Sequence, residues 1–468
     1  MKVLVIGLDC AAPEVVLRDE RLTHIRRLMD RGCYGRLESV IPPITVPAWM
    51  CMSTSQDPGS LGVYGFRNRT DHSYGGLAVV NSTSIDAPAV WDSFGANGKK
   101  VVLVGVPPMY PPRRVNGVSV GCFLTPDPAT SAFTHPASLK EEIETVVGGC
   151  YPVDVTGFRT DDKDWLKEQL HTMTRKHFAV IRHLMTTVDW EYLQFVEIGL
   201  DRLHHGFWKY HDRTHREYAP GHKYEGVVSE YYQMLDAEIG SLLELIEDDT
   251  VVLLASDHGA QRLDGGFCVN DWLRREGLLT LKEVPAGPTP FSPKLVDWSR
   301  TKVWSEGGYY ARVFVNVEGR EPSGLVPAAE LDAFLADLAA RFEALTDDRG
   351  EVMSTQVFRP KDIYRSVRNV APDLIVHFGR LYWRSVGSVG NPGLHVQEND
   401  TGPDGCNHAQ HGVFVLSAPN LSRRGEVEGM RLLDVAPTLL ELTGRPVPSL
   451  MQGQSLLQRE TAGAAASR

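Results

Sequence analysis

The sequence predicts an α/β protein with a central, mostly parallel sheet sandwiched by helices and a second region inserted late in the chain. Three observations predict it. Short apolar runs recur at 3–8, 101–106, 192–198, 251–255, 374–378 and 412–416, rich in β-branched residues and without alternation, as strands buried on both faces require. Helical patterns over 165–184, 231–247 and 327–345 separate them, so strand and helix alternate. The stretch 270–370 breaks this rhythm with the Pro-rich VPAGPTPFSP, an aromatic cluster and the strand-like ARVFVNV.

These readings divide the 468 residues into a core formed by 1–269 and 371–455, an inserted cap over 270–370 and a flexible tail at 456–468. The opening MKVLVIGLDC has an apolar run too short for a secretory h-region and is expected to be the first strand. The segment 107–162, with PPMYPPRR and TPDPATS, is turn-rich and expected to run over the surface. The tail ends TAGAAASR without periodicity and is expected to fray.

Composition excludes several classes. Lys+Arg of 48 against Asp+Glu of 59 gives a net charge of −11, which provides no long-range field for nucleic acid or an anionic membrane. Any phosphate recognition must therefore be local. Seven cysteines without a C-x-x-C pair argue against a disulfide framework or a thiolate zinc cage, and a reducing cytoplasm is the expected compartment. No apolar stretch approaches the roughly 18–20 residues of a transmembrane helix.

In open parallel sheets ligands sit outside the carboxyl ends of the strands. Three runs here reach aspartate at that edge: VLVIGL leads to Asp9, LQFVEIGL to Asp201 and VVLLAS to Asp257. Any one alone reads equally well as a helix N-cap. Three in one crevice would be costly without cations. In DRLHH, Asp201 and His205 are spaced i,i+4, one turn apart on one helical face, with His204 as a competing ligand or a satisfied surface histidine. His258 follows Asp257 at a turn that Gly259 permits, and His408 and His411 follow the loop ENDTGPDGCNHAQHG.

Carboxylates and imidazoles without thiolates suit zinc or manganese better than magnesium. Three aspartates and three histidines fit two metals better than one, and paired metals clamp the attacking and leaving oxygens of a displacement at phosphorus. For a nucleophile, SVIPPITVPAWMCMSTS offers Thr45, held by prolines at the start of a helix whose amides would face an anion. An ordinary N-cap threonine is the plain alternative.

Taken together, the opening strand with Asp9, PPITVPAW followed by DPGSLGVYGF, DRLHHGFW, ASDHG with FCVNDWL, NVEGREPSG, APDLIV, NDTGPDGCNHAQHG and DVAPTLLELTG resemble the alkaline phosphatase superfamily. The resemblance is to its branch of type I phosphodiesterases and nucleotide pyrophosphatases, and it covers nearly the whole chain. It implies an alkaline phosphatase-like fold and a two-metal hydrolase with a phospho-threonine intermediate. One metal would be held by Asp201, His205 and a late histidine, and the other by Asp9, Thr45, Asp257 and His258. His408 matches the late ligand, with His411 as the alternative. Zinc is the commonest metal of this branch and manganese the alternative. Two positions depart from the pattern. Cys10 stands where relatives often have glycine, and Phe66 occupies the place of an asparagine that binds a phosphoryl oxygen. Asn68, two residues on, is the substrate-binding candidate, and Arg67 and Arg69 could clamp phosphate.

The signatures C-x-P-x-R, G-x-x-x-x-G-K-[ST] and H-E-x-x-H are absent. The expected function is metal-dependent hydrolysis of a small-molecule phosphoester. Alternatives are a phosphomonoesterase, a phosphomutase or a phosphonate-cleaving enzyme on the same site, or a catalytically silent binding protein. No arginine or lysine lies between Glu38 and Gly65, so diesters are expected to be turned over better than monoesters. The cap aromatics Trp298, Trp304, Tyr309 and Tyr310 are expected to form the cap's own small core. The oligomeric state is not legible.

Overall fold

In the computed structural model, residues 1–397 and 399–458 are described. A ten-stranded sheet forms the centre. Its middle strands are Val251–Ala255, Val3–Leu8, Trp190–Glu197, Lys100–Val104 and Gly117–Val120, neighbours in that order and all parallel. Alternate side chains of the first strand leave on opposite faces, as the pleat dictates. Leu4, Ile6 and Leu8 pack with the helices Thr23–Arg31, Lys163–Thr187, Gly199–His211 and Val227–Leu243. Val3 and Val5 pack with Thr45–Thr54, Val90–Gly95 and Val435–Leu442. Both faces are therefore covered, which is why these strands read as unbroken apolar runs.

The late run does not follow the parallel rule. His411–Ser417 pairs antiparallel with both Val251–Ala255 and Cys33–Glu38. Segment 107–162 does more than cover the surface, because Gly117–Val120 and Thr134–His135 extend the central sheet and Leu139–Val147 is helical.

A larger departure concerns the run at 374–378. Its strand, Leu374–His377, lies in a separate antiparallel sheet in the order Val303–Glu306, Ala311–Val315, Leu374–His377, Gln356–Phe358. The helix Leu331–Glu343 packs on it through Leu335, Leu338 and Phe342. A fully buried strand looks the same in either sheet, so its apolar run could not say which it joins. A small third sheet, Trp383–Val386, Gly265–Cys268 and His395–Val396, adjoins. Trp298 stacks on Tyr74 at 3.6 Å, and Trp304 meets both rings edge-on in this second core. The expected frayed tail lies, from residue 459 on, outside the described residues, while Leu456 is fully buried and its amide donates to Thr438. Among the described residues no helix is long and apolar enough to cross a membrane.

Candidate active site

Sheet order explains why the three aspartates meet. The strands that precede Asp9, Asp201 and Asp257 are adjacent and in register, Leu8 beside Glu197 and Gly7 beside Ala255. Their carboxyl ends therefore open on one edge. Asp201 then lies in the first turn of Gly199–His211, which places His205 one turn on, its Nε2 3.4 Å from Asp201 Oδ1. His408 arrives on Cys406–Ala409, which pairs antiparallel with Gly259–Arg262 so that His408 faces Ala260. Its ring stacks on His258 at 3.7 Å, and its Nε2 lies 3.6 Å from Asp201 Oδ1. His258 Nε2 lies 3.2 Å from Asp257 Oδ2 and 3.7 Å from Asp9 Oδ1.

Thr45 is the first residue of its helix, and its hydroxyl sits 3.3 Å from His258 Nε2. The first helical bond runs from Ala48 N to Ile44 O, so the Thr45 and Val46 amides have no partner within the helix. One turn on, Trp49 donates its indole N–H to Asp9 Oδ2 at 2.7 Å. Gly7 makes this approach possible, since a Cβ there would meet the Trp49 ring at 2.8 Å and the Phe195 carbonyl at 2.6 Å. Cys10 adopts φ 65°, the left-handed region where glycine is the easy choice, and its amide donates to Asp257 Oδ1 at 3.3 Å.

The donor set fits divalent metal. Two groups of ligand atoms gather within 4.8 Å: Asp201, His205 and His408, and Asp9, Asp201 and His258. Asp201 belongs to both, where the resemblance gave it to one metal alone. Each imidazole turns Nδ1 to an acceptor, His205 to Asp404 at 2.7 Å, His408 to the Pro43 carbonyl at 2.9 Å and His258 to the Gly259 carbonyl at 3.2 Å. That turns every Nε2 toward the carboxylates, the orientation in which a bound metal would take its lone pair. Asp9 Oδ1, Asp201 Oδ1, Asp257 Oδ2 and His408 Nε2 are buried with no hydrogen-bond partner among the described residues. Such atoms are costly unless a cation receives them.

Burial and mutual charge shift the titratable groups of the cluster. Burial, and then repulsion from Asp201, push the Asp9 carboxyl well up, and burial with repulsion from Asp9 does the same to Asp257. Burial lowers His258 to about 4 and drives His408 well down as well. For His205 burial is outweighed by Asp404 and Asp201, which hold it well above its ordinary value.

Among the other candidates, His411 is exposed at the start of its strand. Asn68 is not brought to the cluster: its Oδ1 accepts from the Tyr64 amide at 3.1 Å and its Nδ2 donates to the Gly62 carbonyl at 3.0 Å, closing its own turn. Arg69 is buried against Glu321 and the Trp304 ring. His204 is buried rather than a surface residue, lies between Trp208 and Tyr232, and is lowered to about 3 by that burial.

Four groups beside the cluster were not read from the sequence. Arg202 binds Asp201 at 2.7 Å and Asp154 at 2.9 and 2.8 Å. Asp404, in the quoted block NDTGPDGC, orients His205; burial opposes its charge, but His205, Arg159 and Arg384 hold the carboxyl well below the usual range. Tyr309 leaves the second core and stacks on His408 at 4.1 Å, its hydroxyl 3.2 Å from His205 Nε2. Arginine is present after all. A cavity of about 760 Å³ beside the site is lined by Ile44, Tyr309 and five arginines, four of which come from segments far from Thr45 in sequence.

The chain matches the family model described as type I phosphodiesterase/nucleotide pyrophosphatase over residues 3–413. No curated protein matches it. Among solved structures, phosphonoacetate hydrolase from Sinorhizobium meliloti 1021, in complex with phosphonoacetate, is 15% identical with a TM-score of 0.60, over 95% of both chains. Human ectonucleotide pyrophosphatase/phosphodiesterase 5 is 13% identical with a TM-score of 0.55, over 98% of both chains. The murine protein in an inactive form with AMP is 13% identical with a TM-score of 0.54, over 96% of both. At these identities the structures establish a shared fold, while the sequence model spans most of the chain. The protein thus belongs to the type I phosphodiesterase/nucleotide pyrophosphatase family, whose members are metal-dependent hydrolases.

Proposed function

We propose that this chain hydrolyses a small-molecule phosphoester through a phospho-threonine on Thr45, with two divalent metals, zinc or manganese, at the strand-end cluster. Asp201, His205 and His408 would hold one metal, and Asp9, Thr45, Asp257 and His258 the other. When bound, the metals would supply positive charge that lowers the pKa of the threonine hydroxyl and offsets the phosphoryl oxygens. The observation that carries this reading is the Thr45 hydroxyl at a helix start, 3.3 Å from His258 Nε2 and beside three buried carboxylates with unpartnered oxygens.

Thr45 loses its hydroxyl proton to solvent, and Oγ then attacks phosphorus in line. The Oγ–P bond forms as the bond to the leaving oxygen breaks, and that oxygen departs with the electron pair. Attack by water on the phospho-threonine releases the phosphoryl product and restores the hydroxyl. The Thr45 and Val46 amides face the helix start, where a phosphoryl oxygen is stabilised. Trp49 fixes Asp9, Asp404 fixes His205 and the Pro43 carbonyl fixes His408, so the cluster is held before substrate arrives.

A phosphonate substrate is the second reading, supported by the fold shared with phosphonoacetate hydrolase. Thr45→Ala tests the nucleophile. Turnover should fall roughly a thousand-fold or more, with metal content and the unfolding midpoint nearly unchanged. A variant retaining a tenth of wild-type activity would mean that water attacks directly.

A further inference from the structure

The cavity beside the site is strongly basic. Arg67, Arg159, Arg202, Arg312 and Arg384 line it, against the acidic Glu306 and Asp400. These arginines are not equally neutralised. Arg202 is answered by Asp154, which takes two of its nitrogens, and by Asp201. Arg67 is exposed, and Arg312 donates to the Arg67 carbonyl. Arg159 and Arg384 differ from all of these, because they share a single carboxylate oxygen. Arg159 Nε and Arg384 Nη1 both donate to Asp404 Oδ2 at 3.1 Å, while Asp404 Oδ1 already receives His205.

Two guanidiniums around one carboxylate leave positive charge over. It is enclosed charge: the Arg384 side chain is 6% exposed, and its Nε has no hydrogen-bond partner among the described residues. Tyr309 joins the pair to the catalytic cluster. Arg159 Nη2 donates to the Tyr309 hydroxyl at 2.6 Å, and the Arg384 guanidinium lies over the Tyr309 ring at 4.8 Å. The same hydroxyl is 3.2 Å from His205 Nε2, so the pair stands one side chain away from the proposed metal ligands.

We propose that Arg159 and Arg384 form a subsite for a second anionic group of the substrate, a carboxylate or phosphate carried on its organic part. The inference rests on the phosphoester or phosphonate reading of the neighbouring site. Both groups present paired oxygens that a guanidinium fork matches, and an under-neutralised pair of one buried and one half-buried arginine binds them more strongly than an exposed arginine does. The substrate class is then a phosphoester or phosphonate with an acidic tail, rather than one whose organic part is neutral.

Isothermal titration of the full, zinc-loaded chain with three ligands of equal carbon chain tests this. Propylphosphonate carries only the phosphonate, 3-phosphonopropionate adds a carboxylate, and propane-1,3-diphosphonate adds a second phosphonate. At least one of the two diacids should bind about tenfold or more tightly than propylphosphonate, and their ranking identifies the second group. In Arg159→Met, and in Arg384→Met if it folds, the ratio should shrink to within about twofold. Because the readout is a ratio, a general loosening of the site does not imitate it. Equal binding of all three ligands to the wild type, or equal loss of all three in Arg159→Met, would overturn the subsite while leaving the hydrolase reading intact. If none of the three binds the zinc-loaded chain, both readings fall together.

Discussion

Each histidine of the cluster is defined by what its second nitrogen touches. His205 turns Nδ1 to Asp404, His408 to the Pro43 carbonyl and His258 to the Gly259 carbonyl, so the three Nε2 atoms face the carboxylates. The spacing of Asp201 and His205 was visible in sequence because a helix repeats every 3.6 residues. The groups that orient the imidazoles were not, since a carbonyl has no sequence signature and Asp404 sits in a Gly- and Pro-rich loop that reads as a turn. The late histidine separates the two registers of that loop. His408 is buried in the cluster and His411 is exposed. His408→Ala should therefore lower metal occupancy and reduce activity about a hundred-fold or more, with His411→Ala staying within about threefold of wild type. Metal analysis alongside rates checks this, and the reverse ranking would reassign the ligand.

At the scale of elements, the site depends on three adjacent strand ends, and the strand Trp190–Glu197 is anchored just before Asp201. Glu197 accepts from the Gly199 amide at 2.8 Å, from Thr174 at 3.0 Å and from His177 Nδ1 at 2.9 Å, while His177 Nε2 meets the Pro152 carbonyl at 2.6 Å. With an acceptor at each ring nitrogen, the imidazolium is the favoured form. Burial opposes its charge, but Glu197, the Pro152 carbonyl and Asp154 outweigh burial and raise the pKa. The unfolded value is about 6.5, so this stabilisation is fully present below about pH 6.5 and is lost as pH rises through the raised folded value. His177→Gln should flatten that part of the stability profile. Urea unfolding at several pH values between about 6 and 9 measures it, and an unchanged slope in the variant would assign the dependence to other groups.

Across the whole molecule, the ends of three central strands carry Asp9, Asp201 and Asp257, while the cavity arginines come from scattered segments: Arg312 on the antiparallel sheet, Arg384 on the small third sheet, Arg202 on a helix and Arg159 in a loop. The first half of that arrangement was legible, because apolar runs ending in aspartate mark strand ends of a parallel sheet wherever they occur. The second half was not. Leu374–His377 has the composition of any buried strand, and Tyr309, Arg159 and Arg384 reach the site from segments whose local sequence suggests a small core or a surface loop. Nothing between Glu38 and Gly65 announces the arginines of the neighbouring cavity, because they approach through tertiary structure. The expected preference for diesters rested on the local sequence alone, so charge on the substrate becomes the property to vary.

The central claim, that Asp9, Asp201, Asp257 and the three histidines hold two metals around Thr45, is tested most directly by anomalous diffraction at the zinc or manganese edge from crystals of the reconstituted protein. Two peaks about 3.5–4 Å apart are predicted, one against Asp201, His205 and His408 and the other against Asp9, Asp257 and His258. A single fully occupied peak, or none after reconstitution with either metal, would contradict the account.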